Sequence, residues 1–195
     1  MFQELITKYN LKVTNYEKNE IIKNEGDVCN SVGIVLEGKI KISNITYFNS
    51  EYIIDILKSN DMFGENLIFT NSNKYPGEII AISKTYILFI SKTLFIHLIQ
   101  KEIDFLVFYL NYISNKYIEL QKRIKILCQS SIKDKLIYYL QINKNNDNVV
   151  KISSVTDLSH YLNIPRPSLS RVINQLKKEK TILVKNHFIT LNYNK

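Results

Sequence analysis

The 195-residue chain reads as an α+β protein in three parts. Three observations predict this. Short Ile-, Val- and Tyr-rich segments punctuated by glycine and acidic turn pairs fill residues 13–92. A helical stripe without Gly or Pro follows. The last third alternates short helices and strands and holds most of the excess positive charge.

The first part contains candidate strands at Ile21-Ile22, Val32 to Leu36, Lys39 to Ile45, Tyr52 to Leu57, Ile79 to Ile82 and Tyr86 to Ile90. Glu25-Gly26-Asp27, Glu37-Gly38, Asn60-Asp61 and Pro76-Gly77 separate them. Within Lys39 to Ile45, the residues Ile40, Ile42 and Ile45 are expected on roughly one side. Such spacing predicts an antiparallel sandwich, roll or barrel over residues 1–92.

Residues 93–128 form the second part. Apolar side chains stand at Leu106, Leu110, Ile113, Tyr117, Leu120, Ile124 and Leu127. Gaps alternating between four and three are those of a coiled-coil seam. Phe105, Phe108, Tyr109 and Tyr112 add a second apolar side near the start, consistent with packing on the chain's own domain. By Lys116 to Lys125 only the narrow stripe remains, flanked by charges, and that favours a two-helix seam between the copies of a homodimer.

Residues 129–195 make the third part. Lys133 to Ile142 is an amphipathic helix, Asn143 to Asn148 a loop and Val149 to Ile152 a strand. Ser154, three residues before Asp157, resembles a capping box opening a helix from Val155 to about Leu162. Asn163 suits the left-handed turn that follows. A second helix, running to Lys178, buries Leu169, Val172, Ile173 and Leu176. Proline favours the first helical position, so Pro167 is expected to open that helix with Arg166 as its cap. Its other face presents Arg166, Ser168, Ser170, Arg171, Asn174, Gln175 and Lys178. Ile182 to Val184 and Phe188 to Leu191 bracket a hairpin wing that carries Lys185.

The net charge is −1 over residues 1–92, +2 over 93–128 and +7 over 129–195. A localised basic field around two short helices joined by a tight turn points to double-stranded DNA. Arg, Ser and Asn are side chains that read base edges and phosphates, and no aromatic cluster on that face suggests base stacking with RNA. The candidate DNA contacts are Arg166, Ser168, Ser170, Arg171, Asn174 and Lys185.

Other classes find little support in the residues. The three histidines, His97, His160 and His187, all lie outside 13–92, so a metal-dependent β-barrel enzyme lacks its ligands there. Neither a Gly-x-Ser-x-Gly nucleophile motif nor a phosphate loop occurs. Cys29 and Cys128 share no metal-binding spacing and cannot supply an iron–sulfur ligand set within one subunit. No catalytic residues, metal or cofactor are expected. With no apolar run of membrane-spanning length and no signal-peptide pattern, the expected location is cytoplasmic.

At Glu25-Gly26-Asp27, Leu36-Glu37-Gly38, Phe63-Gly64-Glu65 with Leu67, and Arg166-Pro-Ser-Leu-Ser-Arg171, the chain resembles the Crp/Fnr family of bacterial transcription regulators. The resemblance covers nearly the whole chain. It implies a cyclic-nucleotide-binding-like jelly roll or β-roll as sensor, a long dimerisation helix and a winged helix-turn-helix. It also implies a homodimer on DNA, RNA polymerase as a partner, and an effector pocket around Gly64, Glu65 and Tyr75. Two departures stand out. Pro167 occupies a position where many members carry a base-reading Glu. No arginine occurs between Met1 and Gln121, so the guanidinium that pairs with a cyclic phosphate in nucleotide-binding members is missing. Cyclic AMP is therefore not the expected effector, whose identity stays open.

Overall fold

A computed structural model describes residues 1–45 and 51–192, excluding the side chains of residues 51 and 52. The last three residues of the expected 129–195 segment lie outside it. The chain forms two compact units, Met1–Asn111 and Tyr112–Lys195.

In the first unit, α1 (Phe2–Lys8) precedes β1 (Val13–Tyr16), β2 (Ile21–Lys23), β3 (Ser31–Glu37), β4 (Lys39–Ile45), β5 (Glu51–Lys58), β6 (Met62–Phe63), β7 (Glu78–Ala81) and β8 (Thr85–Ser91). These strands pair as two four-stranded antiparallel sheets, ordered β1-β8-β3-β6 and β2-β7-β4-β5. The chain changes sheet between β3 and β4, at Gly38. Val32, Ile34, Val35, Ile40, Ile87, Leu88 and Ile90 are fully buried. At Gly33 a side chain would overlap the Phe63 ring, so β3 needs a glycine where that buried aromatic crosses it.

The expected single face of Ile40, Ile42 and Ile45 is not what forms. Ile40 is fully buried, Ile42 half-buried and Ile45 exposed, while Ser43 is buried. Ile40 and Ile42 stand opposite Ala81 and Ile79 of β7, both buried, whereas Ile45, three positions beyond Ile42, falls on the other side of the strand. The β4–β5 ladder shifts register opposite Ile42 and Ser43, where Ile54 of β5 is the extra residue.

Residues 93–128 hold two helices rather than one. α2 (Lys92–Lys101) starts at Ser91, whose hydroxyl accepts a hydrogen bond from the Leu94 N–H, and ends at Glu102 with extended backbone. α3 (Ile103–Leu127) follows, 25 residues long. Glu102 at the break is held from α1: Lys8 Nζ lies 2.8 Å from its Oε1, and Tyr9 Oη donates to the same oxygen at 2.5 Å. Phe2 meets Phe108 edge-on at 5.1 Å. These contacts explain α1, which has too little apolar periodicity to be anticipated.

The second unit contains the end of α3, then α4 (Ile132–Asn143), β9 (Val149–Lys151), α5 (Val155–Tyr161), α6 (Arg166–Lys178), β10 (Ile182–Lys185) and β11 (Phe188–Leu191). The strands form a sheet ordered β10-β11-β9. Ile126, Leu136, Leu140, Leu158, Leu162, Leu169, Leu176, Ile182 and Ile189 share one buried core. Ser131 and Ser154 cap α4 and α5, their hydroxyls accepting from the Asp134 and Asp157 N–H groups at 3.0 and 2.9 Å.

Among the described residues no helix is long and apolar enough to cross a membrane. None of them forms a cluster of three or more His, Cys, Asp or Glu side chains able to hold a metal.

Two outcomes follow from this packing. Ile126→Ala is expected to cost the second unit about 2–5 kcal/mol, read from urea unfolding, because Ile126 sits wholly inside its core. Lys8 and Tyr9 hold the Glu102 carboxyl below its ordinary pKa, so the charged form favours the docked α1. That contribution is complete above the ordinary carboxylate pKa and lost as pH falls through the lowered one. Hydrogen exchange over Phe2–Lys8 should therefore accelerate in acid, and Glu102→Gln should show the same acceleration at neutral pH.

Candidate nucleic-acid interface

α5 and α6 meet through a turn of four residues, Leu162 to Pro165. Asn163 takes the left-handed conformation, at φ 52°. Its N–H donates to the His160 carbonyl at 3.1 Å, and the Ile164 N–H to the Ser159 carbonyl at 2.9 Å. Ile164 itself is buried in the core and pins the turn.

The start of α6 differs from expectation by one position. Pro165, not Arg166, is the cap: its φ is −55° and ψ 129°, and the first helical bond runs from the Leu169 N–H to its carbonyl at 3.1 Å. Arg166 is thus the first helical residue and Pro167 the second. A proline is harmless there because first-turn N–H groups have no partner within the helix.

Leu169, Ile173 and Leu176 bury one side of α6. At 3.6 residues per turn, Pro167, Arg171, Asn174 and Lys178 lie opposite that side. Arg166, Arg171, Asn174 and Lys178 are exposed, whereas Ser168 and Ser170 are half-buried on the flanks of the face. Lys185 is exposed at the end of β10. Among the described residues, neither Arg166 nor Arg171 is held in an ion pair, so both guanidinium groups remain available. The carboxylate just past α6, Glu179, is engaged: Lys133 Nζ lies 2.8 Å from it and Gln175 Nε2 donates to it at 2.8 Å. Both contacts lower its pKa, Lys133 first, and the Lys133 ammonium offsets the acidic charge at this end of the helix.

The loop following β6 brings the three sensor candidates into one neighbourhood. Gly64 has φ 81°, and a side chain on it would come within 2.8 Å of Cys29 Sγ and 2.9 Å of the Ser31 carbonyl. Its carbonyl accepts from the Cys29 thiol at 3.5 Å. Tyr75 is buried, its ring 6.4 Å from that of Phe63. Burial first, then Cys29, Asp27 and Glu65 beside it, push the Tyr75 hydroxyl far above its usual pKa, so it stays protonated. Glu65 also raises the pKa of Tyr109 on α3, after burial. Cys29, buried and bonded to the Gly64 carbonyl, thus belongs to the packing of this loop. His97 stacks edge-on against Tyr9 at 5.8 Å, a structural contact.

Of the seven seam residues on α3, Leu106 and Leu127 are half-buried. Leu110, Ile113, Tyr117, Leu120 and Ile124 are exposed, Leu110 and Tyr117 to 54% and 60%.

Comparison with known proteins defines the class. Residues 13–102 match the cyclic nucleotide-binding domain family. An HTH-type transcriptional regulator of Porphyra purpurea, ycf28, is 24% identical over 179 residues, 88% of this chain and 74% of that protein. The solved structure of CprK complexed with OCPA superposes with a TM-score of 0.77 at 17% identity, over 98% of this chain and 92% of CprK. The c-di-GMP responsive global regulator CLP of Xanthomonas campestris gives 0.69 at 14% identity, over 99% and 98% of the two chains. Residues 13–102 thus carry a domain of the cyclic nucleotide-binding family, and in the order of its parts the whole chain is similar to transcription regulators of the Crp/Fnr type.

The geometry of the Gly64 loop yields a test. Gly64→Val is expected to destabilise the first unit, because valine strains a positive φ and collides with Cys29 and Ser31. Urea unfolding of the variant should show a lower midpoint for that unit, with the second unit unchanged.

Proposed function

We propose that this chain is a sequence-specific DNA-binding regulator that acts as a homodimer on a two-fold symmetric site. The exposed Arg166–Lys178 face of α6, set in the most basic segment of the chain, carries this reading. In this reading α6 enters the major groove, where Arg171 and Asn174 reach base edges. Arg166, Ser168 and Ser170 serve the backbone and the groove edge, and Lys185 on the wing meets a phosphate. Because Pro167 stands at the centre of the presented face, it offers the bases no hydrogen bond, and the operator is read by the residues around it.

The exposed apolar stripe from Leu110 to Ile124 supports the homodimer. Coiled-coil spacing suits a second copy of the same helix, and two-fold pairing sets two α6 helices on half-sites about one helical turn apart. RNA polymerase is the partner through which such a regulator acts, in the cytoplasm.

The sensor is proposed to respond to something other than cyclic AMP. Phosphate recognition through a bidentate guanidinium is impossible in a first unit without arginine. Proteins of similar structure respond to or bind different ligands, OCPA for CprK and c-di-GMP for CLP, so this fold does not dictate one effector. The match of residues 13–102 to the cyclic nucleotide-binding family favours a second reading, a cyclic-nucleotide-responsive regulator. Titration calorimetry with cyclic AMP and cyclic GMP separates the two; the first reading expects no heat of binding.

Two further measurements test the proposal. Genome-wide mapping of bound DNA should return a two-fold symmetric site, and Arg171→Ala should lose preference for it over random DNA by about tenfold or more. Wild-type discrimination by that variant would remove Arg171 from the reading. Leu120→Lys with Ile124→Lys should give a monomer by sedimentation and weaken operator binding. A monomeric wild-type protein would rule out the seam.

A further inference from the structure

Six of the seven seam residues on α3 are Leu or Ile, and Tyr117 alone carries a polar side-chain atom. It is 60% exposed and lies midway along the stripe. In the seven-residue frame set by the alternating gaps, Leu110, Tyr117 and Ile124 take the first core position. Leu106, Ile113, Leu120 and Leu127 take the second. The edges of the stripe follow by counting. Lys116 and Arg123 directly precede Tyr117 and Ile124 on one edge, and Gln121 and Cys128 directly follow Leu120 and Leu127 on the other. Along this stretch one edge is therefore cationic and the other neutral.

That asymmetry selects the occupant. In a parallel pair each edge faces the opposite edge of the neighbouring helix, so Lys116 stands across from the partner's Gln121 and Arg123 across from the partner's Cys128. In an antiparallel pair like edges meet. Setting Tyr117 opposite the partner's Ile113 then brings Lys116 onto the partner's Lys116. Setting it opposite the partner's Leu120 brings Lys116 onto the partner's Arg123. Like charges placed across an interface are repulsive and exclude that arrangement. The stripe thus accepts a second copy of itself running in the same direction, where no cation faces another.

The aliphatic residues do not by themselves limit such a bundle to two helices. Ile124 followed by Leu127 favours two strands, but Leu110 followed by Ile113 is the reverse order and favours more. Ile118, 47% exposed, adds apolar surface outside the stripe. Tyr117 supplies the missing limit. A two-stranded seam is open to water along both edges, so the ring can pack across it with the hydroxyl at the rim. With three or more strands the layer closes around a central axis, and the tyrosine hydroxyls are buried together. A buried hydroxyl that lacks partners is costly. We infer that the Tyr117 hydroxyl limits the α3 seam to two strands, an inference that rests on reading α3 as the homodimer helix. A single polar group within an apolar seam fixes the number of strands at some cost in stability. Here that number matches one α6 to each half of a two-fold site.

The test is sedimentation equilibrium of the full chain over a wide range of concentrations. The unaltered protein should reach the mass of two chains and stop there. Tyr117→Phe removes only the hydroxyl, and it should add species of three or more chains as concentration rises. Tyr117→Asn returns a polar group to the same layer and should form nothing larger than two chains. A Tyr117→Phe protein that stays at two chains throughout would overturn the inference and leave the homodimer reading standing. Assemblies larger than two chains in the unaltered protein or in Tyr117→Asn would overturn it as well. A monomeric unaltered protein overturns both readings. Tyr117 is exposed in the single chain, so circular dichroism of all three proteins should coincide.

Discussion

The burial of Ile126 is the constraint on which the rest of the second unit depends. One turn earlier, α3 is an exposed helix with an apolar stripe; at Ile126 the same helix enters the core that holds Leu169 and Leu176 of α6. Arg123 reinforces the junction by lying over the Tyr161 ring at 5.7 Å, and Tyr161 meets Tyr139 at 5.4 Å. The end of α3 is thereby fixed to α4, α5 and α6 as one packed body. Interiors packed at crystal-like density transmit displacement rather than absorb it. The end of α3 and the buried side of α6 share one core.

Within that body, the sequence was most legible where local chemistry and burial agree. Asn163 adopts the left-handed turn its side chain tolerates, Ser154 caps α5, and the apolar positions of α6 face inward as their spacing requires. Where two local preferences competed, the outcome was not legible. Both Pro165 and Pro167 suit a helix start, and only the hydrogen bond from Leu169 to the Pro165 carbonyl decides between them. The bulge opposite Ile42 and Ser43 is similar: its extra residue, Ile54, lies in β5, and nothing in the local sequence announces it. α1 and the short β1 and β6 escaped because their stability is tertiary, resting on contacts such as Tyr9 with Glu102. The polar residues of α6 that stay out of the core were legible as a set. Their ranking across the helix face was not, since it depends on which side the core claims.

The sensor loop shows how a motif can keep its backbone role while its chemical role changes. Gly64 is required by a positive φ and by the closeness of Cys29 and Ser31, irrespective of any ligand. The Phe63 ring fills the space above Gly33. These constraints preserve the loop that the family pattern recognises, even in a unit with no arginine to grip a phosphate. What surrounds the loop is instead a buried tyrosine kept neutral beside a buried thiol. Such surroundings hold hydrogen-bonding capacity but no fixed positive charge, and they penalise the burial of an anion.

Charge placement completes the logic. The first unit contributes little net charge, and the excess is concentrated in the unit that presents α6. A regulator's long-range attraction to DNA depends on that field, whereas its selectivity depends on the few groups that touch base edges. In the reading proposed above, the two roles fall on different residues. Lysines make up most of the basic side chains and supply the field as point charges, while Arg166 and Arg171, two of only three arginines in the chain, sit on α6 where a planar, bidentate donor is needed. On that reading, arginine on the presented face of α6 reads a duplex that the lysines of the surrounding unit first attract.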